Sequence, residues 1–322
     1  MKKWIFRLSI CILLVSLLTP TVSAAQLLIP GGEVIGLELT DETVTVAAFH
    51  EQLGKAAKES GLKVGDRITH VDSTAVKSAE DVSQALQHSG GTVTLSLLRE
   101  GKPRKISLSP EITEKGPCLG IYLKQGITGI GTVTFYDPET GRFGVLGHGV
   151  NDSSGDLLDM VSGNAYEAGI LSVKKGKVGT PGQLVGSLQA HNPVGTLSKN
   201  TVQGVFGKTK SGWSGEKLPI ATWEDVRTGS ATIRSDVQGK SVQEYSVEIL
   251  KIYPSSKSGS RNMLIKITDP ALLDITGGIV QGMSGSPIIQ DGKLIGAVTH
   301  VLVNDPTTGY GIFIENMLDA AA

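Results

Sequence analysis

Gly282-Met283-Ser284-Gly285-Ser286-Pro287 places a serine between small residues and shortly before a proline, which is the pattern that a nucleophile loop requires. A serine hydroxyl that attacks a peptide carbonyl must stand out from a tight turn, and the N–H groups of that turn must point at the oxygen that becomes negative. Gly282 and Gly285 permit such a backbone, so Ser284 is a candidate nucleophile. An ordinary glycine-serine turn between two strands has the same composition, and the rest of the chain must separate the two interpretations.

Composition limits the class of protein. The 322 residues are enough for two domains, and a formal net charge of −1 with 19% charged residues provides no basic surface for nucleic acid. The 41 glycines and 5% aromatic residues favour short strands joined by tight turns. The sequence contains no P-loop, no His-Glu-x-x-His motif and no paired cysteine spacing. We therefore expect no cofactor, no metal ion and no nucleic-acid partner.

Residues 1–24 have the pattern of an export signal. Lys2, Lys3 and Arg7 precede an apolar run, and Val22-Ser23-Ala24 places small residues where a signal peptidase cuts. The run is short for the roughly 20 residues that a spanning helix needs, which favours a cleaved signal peptide over a signal anchor. Both alternatives place the body of the chain outside the membrane.

Residues 27–111 change pattern over short distances, from strands to short helices and back. The run Ser60-Gly61-Leu62-Lys63-Val64-Gly65-Asp66-Arg67-Ile68 resembles the middle of bacterial PDZ domains. Such domains bind a peptide as an added strand on a sheet edge, and a loop of backbone N–H groups receives the terminal carboxylate. By that resemblance, the receiving loop lies in segment 31–36, with these candidate peptide-binding residues: Gly31, Gly32, Ile35 and Gly36.

Residues 112–322 form the second predicted domain, with the boundary expected at segment 110–117. Short apolar strands alternate there with glycine, asparagine and proline turns, which is typical of a β-barrel or sandwich. The predicted fold class is therefore mainly β, with an α+β PDZ domain in front of a β-barrel domain.

A serine nucleophile needs a base, and two of the six histidines are well placed. His148 lies in Gly147-His148-Gly149 after an apolar strand, where two glycines let the imidazole project. His300 lies on the strand that follows the serine loop and is the second candidate. In two-barrel serine proteases the base lies far upstream of the serine, because each barrel supplies one of the two residues. This spacing favours His148.

A carboxylate should hold the imidazole in the correct tautomer. Asp269 ends an apolar strand fifteen residues before Ser284 and is followed by Pro270. Asp152 lies four residues after His148, and Asp274 is closer to the serine. Spacing alone leaves these three candidates open.

Two blocks, residues 129–148 and residues 268–300, resemble the stage IV sporulation protein B peptidases of spore-forming Firmicutes. The resemblance extends over nearly the whole chain and implies a chymotrypsin-like double β-barrel. It also implies that His148 is the base, Asp269 the orienting acid and Ser284 the nucleophile. Gly282 and Ser284 would then supply the N–H groups of the oxyanion hole.

The same resemblance implies a signalling role. Members of this family are exported into the space between forespore and mother cell, where they cut a membrane-bound inhibitor of an intramembrane protease and so release sigma-factor processing. They also cleave themselves, and the PDZ domain is expected to hold partner tails or other copies of the peptidase. The alternatives are an HtrA-like quality-control protease, in which the PDZ domain follows the protease domain, and a non-catalytic PDZ adaptor.

Overall fold

The computed structural model describes residues 26–152, 155–254 and 259–322. The predicted export signal lies outside this range. Within the described part of the chain strands dominate, which confirms the mainly β fold class, and none of the helices is long and apolar enough to cross a membrane.

The elements follow the chain in four groups. The first strands are β1 (Leu27–Pro30) and β2 (Val34–Asp41). The next group contains β3 (Val44–Phe49), α1 (Lys55–Glu59), β4 (Arg67–Val71), β5 (Thr74–Ala75), α2 (Ala79–Gln87), β6 (Val93–Arg99), β7 (Lys102–Leu108), β8 (Glu111–Thr113), β9 (Gly116–Cys118) and β10 (Ile121–Lys124). The third contains β11 (Ile127–Tyr136), β12 (Arg142–Val145), β13 (Met160–Lys174), β14 (Gln183–Thr201), β15 (Gly204–Thr209) and β16 (Leu218–Pro219). The last contains β17 (Gly229–Ser235), β18 (Gln243–Ile252), β19 (Met263–Ile267), α3 (Pro270–Thr276), β20 (Pro287–Gln290), β21 (Lys293–Leu302), β22 (Asp305–Phe313) and α4 (Ile314–Ala321).

Two six-stranded rings form the peptidase fold. The first ring runs β2–β11–β12–β15–β14–β13 and closes where β13 pairs with β2, while β1 and β16 extend its sheet beyond β11. The second barrel closes in the order β17–β18–β19–β22–β21–β20. Each ring has an aliphatic core, which holds Leu37, Val133 and Val145 in the first barrel and Ile233, Met263 and Ile288 in the second. The predicted double barrel is confirmed.

The PDZ domain is inserted into the first barrel. Its sheet runs β10–β3–β4–β6–β7, and α1 and α2 cover an apolar core that includes Val46, Leu62 and Leu95. Before and after the insertion, β2 and β11 are antiparallel neighbours, with Leu39 opposite Ile127. The PDZ domain therefore occupies the connection between two adjacent barrel strands.

The Gly65-Asp66 turn of the PDZ domain has a structural cause. Asp66 is almost fully buried, and both of its carboxylate oxygens accept hydrogen bonds from the guanidinium of Arg99 on β6, at 2.7 Å each. The same carboxylate accepts from the backbone N–H of Lys63. A buried carboxylate requires such partners, so this pair fixes the turn against the sheet.

Segment 31–36 is not the carboxylate-receiving loop of the PDZ domain, and this prediction is corrected. Gly31 and Gly32 donate backbone hydrogen bonds to Thr134 and Val133 of β11. Ile35 and Gly36 lie in β2, which has β11 on one side and β13 on the other. Because both edges of β2 are paired inside the first barrel, no peptide can add there. The peptidase fold thus begins at β1, within the range predicted for the PDZ domain.

Candidate active site

Ser284 and His148 line one cleft between the two barrels. The cleft has a volume of about 470 Å³. The first barrel contributes His148 and Leu146, and the second contributes Ser284, Thr299 and His300. The structure thus brings together the predicted nucleophile and both histidines that were considered as its base.

The loop that carries Ser284 leaves two N–H groups for a ligand. Three others are used inside the protein, because Met283 donates to Val280, Gly285 to Val298 and Ser286 to Met283. Among the described residues, the N–H groups of Gly282 and Ser284 have no acceptor. These are the two donors that were predicted for an oxyanion hole, which must be available for the charge that develops in the transition state.

The first barrel holds this loop from behind through two buried threonines. Thr132 donates from its hydroxyl to the carbonyl of Gly282 at 2.7 Å and from its N–H to the carbonyl of Ser284 at 3.0 Å. The hydroxyl of Thr134 donates to the carbonyl of Gly285 at 2.8 Å. A Cβ on Gly285 would lie 2.0 Å from the carbonyl oxygen of Thr132, so only glycine permits this approach.

A strained turn presents His148 to the cleft. Leu146 and Gly147 both have positive φ, at 72° and 67°, and a Cβ on Gly147 would lie 2.9 Å from the methyl group of Thr299. A leucine in this conformation costs about 1–3 kcal/mol, so surrounding contacts must hold it. One contact is the hydrogen bond that the Leu146 N–H donates to the Thr132 carbonyl.

Asn200 anchors the chain after His148. Its side-chain oxygen accepts from the N–H of Val150, and its amide donates to the carbonyls of Val150 and Leu158. Gly149 lies so close to Thr201 that a Cβ would be 2.6 Å from its carbonyl oxygen. Asn200 and Thr132 could not be identified from the sequence, because a hydrogen bond to the backbone leaves no pattern in the sequence.

A backbone carbonyl fixes the tautomer of His148. The Nδ1 atom lies 2.9 Å from the carbonyl oxygen of Gly149. Because a carbonyl only accepts, Nδ1 must carry the proton, and Nε2 then keeps its lone pair. An imidazole in this tautomer can take a proton through Nε2, which is the requirement for a general base.

Burial keeps both imidazoles of the cleft neutral. Desolvation lowers the pKa of His148, and the hydrogen bond to Gly149 opposes this only in part. Desolvation, with the nearby His148 and Arg261, lowers the pKa of His300 to about 4. The two rings are 5.0 Å apart between centroids and inclined by 39°. Near neutral pH, His148 is therefore available to accept a proton.

Asp269 does not contact His148, and its assignment as the orienting acid is wrong. It is the N-cap of α3, and its side chain accepts hydrogen bonds from the N–H groups of Ala271 and Leu272. Its other carboxylate oxygen accepts from the N–H of Ser246 on β18. An aspartate followed by proline at the first helical position is a standard helix start, and this signal was present in the sequence.

The two other candidate acids are also bound elsewhere. Asp152 forms an ion pair with Arg67 of the PDZ domain at 3.3 Å. Asp274 lies 3.6 Å from Lys175, and its side chain is 90% exposed. No aspartate or glutamate is among the described residues that line the cleft. The orienting contact of His148 is thus the Gly149 carbonyl rather than a carboxylate.

The hydroxyl of Ser284 is bonded to a backbone carbonyl rather than to His148 in this structure. It donates to the carbonyl of Thr299 on β21 at 2.6 Å. Rotation about χ1 of the serine would release that bond and turn the hydroxyl toward His148, since catalytic hydrogen bonds often form only when substrate is bound.

The PDZ domain offers a sheet edge that the sequence analysis missed. β10 is the last strand of the PDZ sheet, and it pairs only with β3 on one side among the described strands. It is preceded by Leu119 and Gly120, and Leu119 is buried in the PDZ core with Val82 and Leu86 of α2. The triplet Leu119-Gly120-Ile121 has the same character as Ile35-Gly36-Leu37, so the sequence held two similar candidates.

The double barrel, the PDZ domain and the serine–histidine cleft together define a chymotrypsin-like serine peptidase with an inserted PDZ domain. Residues 34–109 match the PDZ domain family. Residues 116–318 match the SpoIVB peptidase S55 family, and the chain belongs to that family.

Other similarities cover less of the chain or are weaker. Two curated relatives are putative zinc metalloproteases of Mesorhizobium japonicum (31% identical over 75 residues, 23% of this chain) and Agrobacterium fabrum (35% over 89 residues, 27% of this chain). This chain matches only 20% and 22% of their lengths. Among solved structures, the active form of the Rv3671c protease of M. tuberculosis has a TM-score of 0.38 at 15% identity, covering 61% of this chain and 75% of that one. The HtrA-type protease AlgW with a tripeptide has a TM-score of 0.36 at 12% identity, covering 60% and 54%.

Proposed function

We propose that the protein is a serine endopeptidase in which Ser284 is the nucleophile and His148 the general base. The observation that carries this proposal is the pair of unused N–H groups, on Gly282 and Ser284, in the cleft that also holds the imidazole. The family to which the chain belongs supports the same activity.

The proposed reaction follows from these positions. The hydroxyl of Ser284 attacks the peptide carbonyl while Nε2 of His148 takes its proton, and the carbonyl oxygen becomes an oxyanion between the N–H groups of Gly282 and Ser284. The imidazolium then gives its proton to the leaving amine, and water hydrolyses the acyl-enzyme. Protonated His148 is stabilised by the Gly149 carbonyl, which replaces the usual carboxylate.

Labelling with a fluorophosphonate tests this assignment. The probe should modify Ser284 in the unaltered protein, and Ser284→Ala should abolish both labelling and cleavage of a peptide substrate. Ser286→Ala is the matched control, because this buried hydroxyl in the same loop has no partner among the described residues. Equal labelling of the Ser284→Ala variant would rule out Ser284 as the nucleophile.

The biological role that we propose is that of a signalling protease of sporulation. The protein would be exported by its N-terminal segment, act in the space between forespore and mother cell and cut a membrane-bound inhibitor of an intramembrane protease. Family membership supports this role. The PDZ domain would bind peptide tails or other copies of the peptidase along β10. Binding of another copy would favour cleavage of one copy by the other.

Substrate selectivity separates this role from that of a quality-control protease. A signalling protease should cut the inhibitor and its own N-terminal region at few sites and leave unfolded casein largely intact. Degradation of casein at many sites would instead support an HtrA-like function. In that case the PDZ domain would be expected to recognise unfolded proteins in general.

A further inference from the structure

We propose that the peptidase cleaves after a medium-sized aliphatic residue, because the pocket beside Ser284 has aliphatic walls and no charged side chain. This inference rests on the proposed function, since it assumes that Ser284 is the nucleophile. It specifies the class of residue that the substrate must carry before the bond that is cut.

The position of the pocket follows from the oxyanion donors. When the substrate carbonyl oxygen lies at the N–H groups of Gly282 and Ser284, the side chain on the acyl side must enter the adjoining space. That space lies between segment 279–282, which leads into the serine loop, and segment 299–303 at the end of β21. Both segments line the same cavity as Ser284.

Branched aliphatic residues predominate in the two walls, which also contain Gln281, Thr299 and His300. Ile279 and Val280 stand on one side, and both are about 1% exposed. Val301 and Val303 stand on the other. A Cβ on Gly309 of β22 would lie 2.6 Å from Cδ1 of Ile279, so Ile279 fills the space down to the neighbouring strand. The pocket is therefore shallow on that side and suits valine, isoleucine or leucine better than a large aromatic residue.

The connection between β13 and β14 closes the outer end of the pocket. It is tied to the second barrel by hydrogen bonds from Gly176 to the Thr276 carbonyl and from Gly179 to the Val303 carbonyl. A parallel bridge between Gln183 and Gln281 adds a third tie. Pro181 of this connection lines the cavity, so a long substrate side chain would meet it.

The uncharged lining of the pocket disfavours basic and acidic side chains of the substrate. Among the described residues, the lining contains no Asp, Glu, Lys or Arg. Burial of a lysine or glutamate without a partner is far more costly than burial of an aliphatic group. Arg261, whose charge acts on His300, lies over the ring of Tyr310, 5.2 Å from its centroid, and outside the lining.

Peptidyl diphenyl phosphonates that differ only in the residue next to phosphorus test the pocket. Ser284 attacks phosphorus, His148 takes the hydroxyl proton and phenolate leaves, so the labelling rate measures recognition of that residue. The leucine and valine probes should react at least about 100-fold faster than the lysine and glutamate probes. Equal rates, or a faster lysine or glutamate probe, would overturn the inference.

A second test places a charged residue in the wall of the pocket. Val303→Asp should raise the rate of the lysine probe and lower that of the leucine probe, so that their ratio changes at least about 10-fold. Val161→Asp is the matched control, because Val161 is 57% exposed on β13 and does not line the cavity. An unchanged ratio in Val303→Asp would contradict the pocket. If a plain fluorophosphonate labels Ser284 but the phosphonate probes all react at the same rate, only this inference fails. If the fluorophosphonate does not label Ser284, the proposed function fails as well.

Discussion

Thr132 links the two barrels at the point where the nucleophile is held. Its backbone and its hydroxyl both contact the serine loop, at the carbonyls of Ser284 and Gly282. The direction of the Gly282 carbonyl determines the orientation of the adjoining peptide planes, and hence of the oxyanion donors. The first barrel thus sets the geometry of a site whose nucleophile belongs to the second.

Thr132→Val should impair the site while it preserves the shape of the side chain. The Gly282 carbonyl would lose its buried donor, at a cost of about 1–3 kcal/mol, and the oxyanion donors would shift. We expect up to a ~100-fold slower reaction of Ser284 with a fluorophosphonate, since loss of one oxyanion donor costs about 10² to 10³ in rate. Thr132→Ser, which keeps the hydroxyl, should retain most of the rate; an equally slow Thr132→Ser would contradict the role of this hydrogen bond.

The pH dependence of cleavage should reflect the lowered pKa of His148. A base works when it is unprotonated, so a pKa below the ordinary 6.5 keeps His148 active at lower pH. The acid limb of kcat/KM should therefore lie below pH 6.5. The same limb should persist in His300→Gln, which removes the other imidazole. A limb above pH 6.5 in both proteins would contradict the neutral, desolvated base.

At the scale of elements, α3 shows how one aspartate can satisfy two sequence patterns. Asp269 occupies the position that the family resemblance gives to the orienting acid, yet its carboxylate caps the helix and contacts β18. The helix ends at Gly277 in the left-handed conformation, with a φ of 73°. The short segment between this C-cap and Ser284 forms the wall of the cleft, so the cap positions the site indirectly.

Asp269→Asn separates the capping role from a catalytic one. Asparagine caps a helix about as well as aspartate, so stability and cleavage rate should change little. Asp269→Ala should lose about 1 kcal/mol of unfolding free energy, measured by urea denaturation. If Asp269 acted on His148, the asparagine variant would lose about 10⁴ in kcat, as in a triad with the wrong tautomer.

In the whole molecule, the PDZ domain is joined to the first barrel by an ion pair as well as by its two chain connections. Arg67 of β4 pairs with Asp152, four residues after His148. Both side chains are largely buried, so the pair ties the PDZ domain to the loop that carries the base. A peptide on the PDZ sheet would therefore bind to a domain that contacts the loop after His148.

Replacement of residues 42–124 by Asn-Gly should yield a folded peptidase. Leu39 and Ile127 are already opposite one another, and Asn-Gly is the preferred two-residue turn between such strands. A chain of residues 112–322 should not fold, because it lacks β1 and β2, so that β11 and β13 each lose a partner strand and the first barrel cannot close. Circular dichroism and thermal melting would compare the two proteins. A folded 112–322 chain would contradict the assignment of β2 to the barrel.

Local features of the site could be predicted from the sequence, and pairings over long distances could not. The Ser284 loop and the projecting His148 follow from glycines beside them, because backbone freedom is a property of adjacent residues. The segment that forms β2 was assigned wrongly to the PDZ domain, since an alternating strand does not specify what pairs with it. The contacts of Thr132 and Asn200 join parts of the chain that are remote in sequence.

The insertion of the PDZ domain also determines the order in which the chain can fold during synthesis. β1 and β2 emerge first, but their partners β11 and β13 follow only after the whole PDZ domain has been made. The PDZ domain can fold in that interval, while β2 remains an unpaired strand that is open to association with other chains. The second barrel closes only when β22 has been added near the C-terminus. A premature stop before β22 therefore leaves a folded PDZ domain attached to an incomplete protease.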